Sequence, residues 1–228
     1  AIEMFERGRM LFEELEDVSR LIGANTDIGY CYLILKGQVY KSLKYVKTAK
    51  EISKDYNNKN IGLVLGDLAF GCYYSFIGNH KKGDNYLKKS IENSIKTEIQ
   101  GLYSLSSRFL AESLFLQGQY EESLLYYKKA YELAIQTDMI LWNITSIIGM
   151  GINRKKLGLE IDYDEILQEK DKFYKAGVWY EYYYDYLQYQ LFEEDKYLNS
   201  AYAQLNDITK KLNEKDRKKL LNCNILKW

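Results

Sequence analysis

An all-α chain of stacked antiparallel helix pairs is what this sequence predicts, and three observations carry the prediction. Four glycines, Gly37, Gly78, Gly118 and Gly158, recur at intervals of 41, 40 and 40 residues. Between them apolar residues return at three- and four-residue steps, the period of a helix with one buried face. Proline is absent from all 228 residues, so long helices run without fixed kinks and turns fall to Gly, Asn and Asp.

The best-defined stretch is 109–134, FLAESLFLQGQYEESLLYYKKAYELA. Leu110, Ala111 and Leu114 give its first helix an apolar face, and Leu124, Tyr127, Tyr131 and Ala134 give its second a stripe at helical spacing. Gly118 sits where the first helix must stop, because Gly takes the left-handed conformation without a side-chain clash. Ser123 and Ala130 leave a flat strip where another helix can come close.

The other copies agree in register. Five residues after the first three glycines come Ser42, Gly83 and Ser123; eight after come Tyr45, Tyr86 and Tyr126; twelve after come Ala49, Ser90 and Ala130. Seven residues before, Gly71, Ala111 and Gly151 are small, and Tyr30 is the exception. The predicted pairs are therefore 15–36 with 39–55, 61–77 with 80–94, 98–116 with 120–135, and 138–156 with 162–176.

In chain order, 2–12 reads as the second helix of a preceding pair, or as a cap. Gly23, Asn25, Thr26, Asp27 and Gly29 are poor helix formers and predict a first helix weakened or split near 23–26. Thr97 and Thr137, each followed by an acidic residue, suit helix N-caps. In the fourth copy Tyr163 and Lys170 stand at the two small positions, so packing there must loosen or shift. Residues 178–212 form a degenerate fifth pair, and 213–228 a basic C-terminal capping helix. The whole, 1–228, reads as one repeat domain with copies 15–58, 59–96, 97–136, 137–177 and 178–212. It opens at Ala1 in mid-pattern, as a piece cut from something longer.

Composition narrows the function classes. A hydrophobic content of 46% fits a folded chain, and 32 basic against 32 acidic residues give no strong field for nucleic acid or anionic lipid. Cys31, Cys72 and Cys223 have no metal-site spacing and are odd in number, which suits a reducing, cytoplasmic setting. Cys31 and Cys72 occupy equivalent positions in neighbouring copies; they read as small buried hydrophobes, with a redox pair as the sharper alternative. No apolar stretch is long enough to span a bilayer. No Walker loop, GxSxG, HExxH or GxGxxG motif is present, and the single His80 lies in a turn, so no catalytic residue, metal or cofactor is expected.

The residues Ala111, Gly118, Tyr120, Ser123, Tyr127 and Ala130 resemble the small, turn and aromatic positions of a tetratricopeptide repeat. The forty-residue period is similar to the long form found in MalT-like bacterial regulators and in the peptide-sensing regulators of Gram-positive bacteria. The resemblance implies a right-handed superhelix whose concave groove is lined by the first helix of each pair. Mapped from the turn glycines, that groove would present Asp27, Cys31 and Ile34, then Leu68, Cys72, Ser75 and Phe76, then Arg108, Glu112 and Phe115, then Ile148, Ile152 and Lys155. Arg108 and Glu112, four apart, suit either a peptide contact or an ion pair with each other. A second candidate surface is the aromatic run 178–192, where Trp179, Tyr182, Tyr183 and Tyr186 share a broad helical face.

The expected role is a protein-interaction module of a larger, bacterial regulatory or signalling protein, with a protein or peptide as partner. A peptide or small-molecule sensor of a transcriptional regulator is the first alternative, and a structural or dimerising scaffold the second.

Overall fold

The computed structural model describes residues 2–34, 36–55, 59–175 and 182–221. Among them are helices and turns only. They run α1 Ile2–Glu14, α2 Val18–Ile34, α3 Val39–Asp55, α4 Lys59–Phe76, α5 His80–Lys96 and α6 Gln100–Leu116. They continue as α7 Tyr120–Gln136, α8 Ile140–Leu157, α9 Tyr163–Lys175, α10 Tyr182–Phe192, α11 Asp195–Lys210 and α12 Glu214–Leu221.

These helices fall into two compact units. One holds 1–102 with 211–228, and the other holds 103–210, so the chain leaves the first unit within α6 and re-enters it after α11.

The antiparallel pairing rests on small residues and single hydroxyls. In α4–α5, Ser90 Oγ donates to the Val64 carbonyl at 3.0 Å. A Cβ on Gly83 would come within 2.8 Å of the Ser75 backbone nitrogen, and one on Gly71 within 2.5 Å of Leu87. Forty residues on, in α6–α7, Ser104 Oγ donates to Ala130 O at 2.8 Å, and Ser123 Oγ to Ala111 O at 2.7 Å. Positions 64 and 90 thus become 104 and 130, with the hydroxyl moved to the opposite helix. Each contact gives a buried hydroxyl a partner, which matters because an unpaired one costs about 1–3 kcal/mol.

The turns obey one rule. Gly37, Gly78, Gly118 and Gly158 are all left-handed, with φ between 59° and 82°. The intervening turns use Glu98 (φ 57°) and Asp138 (φ 54°) in the same conformation. The turns from Gly78 to Gly158 end on the same bond, an amide reaching five residues back to close the helix, such as Gln119 to Leu114 O at 3.0 Å, Met139 to Ala134 O at 2.9 Å and Ile99 to Ser94 O at 3.1 Å; at Gly37 the amide of Gln38 reaches six back, to Tyr32 O at 2.8 Å. Thr97 and Thr137 therefore close α5 and α7 instead of capping the helices that come next. Their hydroxyls donate backwards, to Asn93 O at 2.9 Å and Leu133 O at 2.8 Å.

The expected break near 23–26 is absent, because tertiary contacts outweigh propensity. α2 runs unbroken. Asn25 and Thr26 donate to the carbonyls one turn back, Leu21 and Ile22, at 2.8 and 3.0 Å. Gly29 is demanded by α3, since a Cβ there would stand 2.9 Å from Val46. Ile22, Ala24 and Ile28 are buried, and each large aliphatic among them contributes about 1.5–3 kcal/mol.

The fourth copy shifts as its bulky residues require. Tyr163 is 43% exposed, and Lys170 reaches α11, donating to Tyr197 Oη at 2.6 Å. Gly151 of α8 is approached by Ile166 of α9 and by Leu191 of α10, each 3.0 Å from where a Cβ would be. In the first unit, α12 packs on α3, with Leu220 fully buried against Gly37. Lys215 Nζ lies 3.9 Å from the centre of the Tyr40 ring.

Candidate functional site

In the first unit the positions that lead the first helix of each pair lie on α2 and α4. Cys31, Leu68, Ser75 and Phe76 are buried, and Cys72 is half-buried. Their side chains build helix packing. The Ile34 side chain lies outside the described residues. Asp27 is the charged member of this set, and it is open to solvent. Protein nevertheless crowds its surroundings, and the resulting desolvation pushes its carboxyl up to about 6.

In the second unit Arg108 and Glu112 pair with each other, Nη1 to Oε2 at 3.1 Å. Arg108 is 1% exposed, and its guanidinium carbon lies 3.9 Å from the Phe109 ring centre. Burial raises the phenol of Tyr127, and the Glu112 charge raises it further. Tyr127 lies flat on Gly149, where a Cβ would be 2.4 Å from its ring. The Arg–Glu pair is thus enclosed by packed side chains, and removing one member would strand the other's charge at a cost of about 3–5 kcal/mol. Ile148 and Ile152 are buried, while Phe115 and Lys155 are half-buried. Lys155 reaches the end of α10, donating to Leu191 O, Gln190 O and Glu193 Oε1.

On the aromatic run, Trp179 lies outside the described residues, and so do the side chains of Tyr182 and Tyr183. Tyr186 is half-buried, and burial raises its phenol. The core face of α10 is instead Tyr184, Leu187 and Leu191, each 5% exposed or less. His80 opens α5 half-buried, and burial lowers its pKa against the opposing pull of Asp84.

Two features escaped sequence reasoning. Lys50 on α3 pairs with Asp67 on α4, both largely buried. Tyr45 donates to Glu6 of α1, and burial together with that bond pushes its phenol up to about 12. For the first pair the signal was Gly66, over which the Lys50 stem runs, with Cδ 3.0 Å from a would-be Cβ. For the second there was none, because Glu6 and Tyr45 are far apart in sequence. Among the described residues no group of acidic, His or Cys side chains is arranged to hold a metal, and no helix is long and apolar enough to cross a membrane.

No family model matches the sequence, and no curated protein matches it. The structure is similar to that of aspartyl phosphate phosphatase F from Bacillus subtilis, with a TM-score of 0.59 at 18% identity over 94% of this chain. The fold is a tetratricopeptide-like helical repeat. The chain spans 55% of the length of that phosphatase. The likeness therefore covers nearly all of this chain and about half of the other, and it is a likeness of architecture.

Proposed function

We propose that this chain is a protein-interaction module of a larger bacterial regulatory or signalling protein, of the MalT-like or peptide-sensing kind. In this reading it works in the cytoplasm and binds a protein or peptide through the first helices of its pairs. Binding is its role, without catalysis, cofactor, metal or nucleic acid. Supporting it is the fold, since repeat arrays present extended surfaces to partners. The bacterial phosphatase of similar architecture adds to that support.

The observation that carries the reading is Asp27. It is the charged side chain at the expected groove positions of the first unit, open to solvent, with its pKa raised by desolvation. A carboxylate in that state gains from a cation brought close to it, because the cation restores what desolvation removed. The partner group expected there is a Lys or Arg side chain, or a free amino terminus.

Peptide selection against the whole chain tests this. Enriched sequences should share a basic residue or a free amino terminus, and Asp27→Asn should weaken them about tenfold. Equal affinity for the native chain and Asp27→Asn would remove the assignment. The same residue also supports the sensor alternative. A free peptide or small cation that raises the melting temperature, with no partner protein present, would favour that reading.

A further inference from the structure

α1 has no buried residue. One side of it is tied to the first unit. Glu6 accepts from Tyr45 of α3, and the Arg20 guanidinium of α2 lies 5.8 Å from the Phe12 ring centre. The opposite side carries Met4, Gly8 and Leu11, and Leu15 continues their line at the cap one residue past the helix end, its amide donating to Leu11 O at 2.9 Å. Met4 is 69% exposed, Leu11 56% and Leu15 71%. Steps of four, three and four residues make these the seam positions of a two-stranded coil. Such an apolar seam on an outward helix face marks an interaction surface.

We propose that this seam pairs with itself, α1 of one copy lying antiparallel to α1 of a second. Seating Met4 against Leu15 of the second copy places Gly8 opposite Leu11, and by symmetry Leu11 opposite Gly8. Gly8 then meets a large residue in both layers that it enters, and the outer two layers pair Met4 with Leu15. The hollow is real: a Cβ at Gly8 would have only Phe12 of its own helix nearby, at 3.6 Å. Charge agrees with shape. Arg7 and Glu14, both exposed, flank the seam on the same side, and the antiparallel register sets each beside its opposite in the second copy. A parallel alignment would bring Gly8 to Gly8, leaving a void, and would set like charges level. A surface complementary to itself about a two-fold axis is what an isologous dimer requires. The seam is only about 16 Å long at 1.5 Å per residue, so the interface is small. This pairing is independent of the partner-binding role proposed above.

Sedimentation of the whole chain between about 1 and 200 μM should show a reversible monomer–dimer equilibrium with a dissociation constant of about 10–100 μM, as suits a small interface. Leu11→Glu should abolish it. Arg7→Glu should weaken it about tenfold, and Arg7→Glu combined with Glu14→Arg should restore it to within about twofold. These positions are exposed, and circular dichroism of each variant checks that the helices remain. Orientation is read by cysteine pairing. Mixed Met4→Cys and Leu15→Cys chains should cross-link under mild oxidation, beyond the level of the native chain, while neither variant should do so alone. A chain that stays monomeric throughout, a dimer indifferent to Leu11→Glu, or Met4→Cys cross-linking to itself would each overturn the proposal.

Discussion

Lys155 of α8 and Glu193, just past the end of α10, meet at 2.7 Å. The same ammonium donates to the carbonyls of Leu191 at 3.1 Å and Gln190 at 3.3 Å. α10 carries no basic residue in its own last turn, so α8 supplies the positive charge that a helix C-terminus favours. Contact with Lys155, hydrogen bonding first, holds the Glu193 carboxyl below its usual range. Glu193 is fully exposed, so the contact with the carbonyls matters more than the ion pair. Lys155→Met should destabilise the second unit by about 1–2 kcal/mol. Amide exchange at the end of α10 should accelerate, while Glu193→Gln should do much less. Equal effects from the two variants would show that the ion pair carries the joint.

The hydroxyl that bridges α6 and α7 can be moved. Ser104→Ala should cost about 1 kcal/mol in urea unfolding, because the Ala130 carbonyl loses its second donor. Ser104→Val with Ala130→Ser copies the arrangement of Val64 and Ser90, and should recover most of that loss. Failure to recover would mean that the two pairs differ in spacing as well as in sequence.

Backbone strain gives a third expectation. Nothing lies within 4 Å of a would-be Cβ on Gly118, so Gly118→Ala isolates the cost of a left-handed alanine, about 1 kcal/mol. Glu98 and Asp138 already bear that cost. Glu98→Gly and Asp138→Gly should each stabilise by about 0.5–1 kcal/mol, read as a shift in the unfolding midpoint at unchanged slope.

Asp27 makes stability depend on pH. Its folded pKa, about 6, lies above the ordinary value of 3.8, so the folded state holds the proton more tightly than the unfolded one. The contribution is fully present below about pH 3.8 and is lost as the pH rises through about 6. Because the group is open to water, the loss should be about 0.5–1 kcal/mol once screening is counted. Asp27→Asn should therefore melt higher than the native chain at pH 7.5 and equally at pH 3.5. A carboxyl resonance titrating near 4 would remove the effect.

The helix pairs were legible because their physics is local. A helix of 17 residues and a turn of three repeat every twenty, and left-handed residues fall at 78, 98, 118, 138 and 158. Those at 78, 118 and 158 are glycines, which stand out in the sequence. Glu98 and Asp138 announce nothing, and Thr beside them suits either end of a helix. The candidate site was harder to read. Its positions come from register, but whether a residue at such a position faces solvent depends on its neighbours. Leu68, Ile148 and Ile152 stand at register positions like that of Asp27 or one turn from it, and they are buried while Asp27 is open. Lys155 was placed correctly on its helix, yet its partner lies on an element whose angle no local pattern encodes.

Leu220 against Gly37 joins residues from opposite ends of the sequence, and a side chain at Gly37 would collide with it at 2.5 Å. Stacked repeats ordinarily fold from contacts between neighbours, and such contacts form quickly. This one must wait until nearly all the intervening chain is in place, because closing so long a loop carries an entropic cost with little to offset it beforehand. The seating of α12 is therefore a late event in folding, and its release an early one in unfolding.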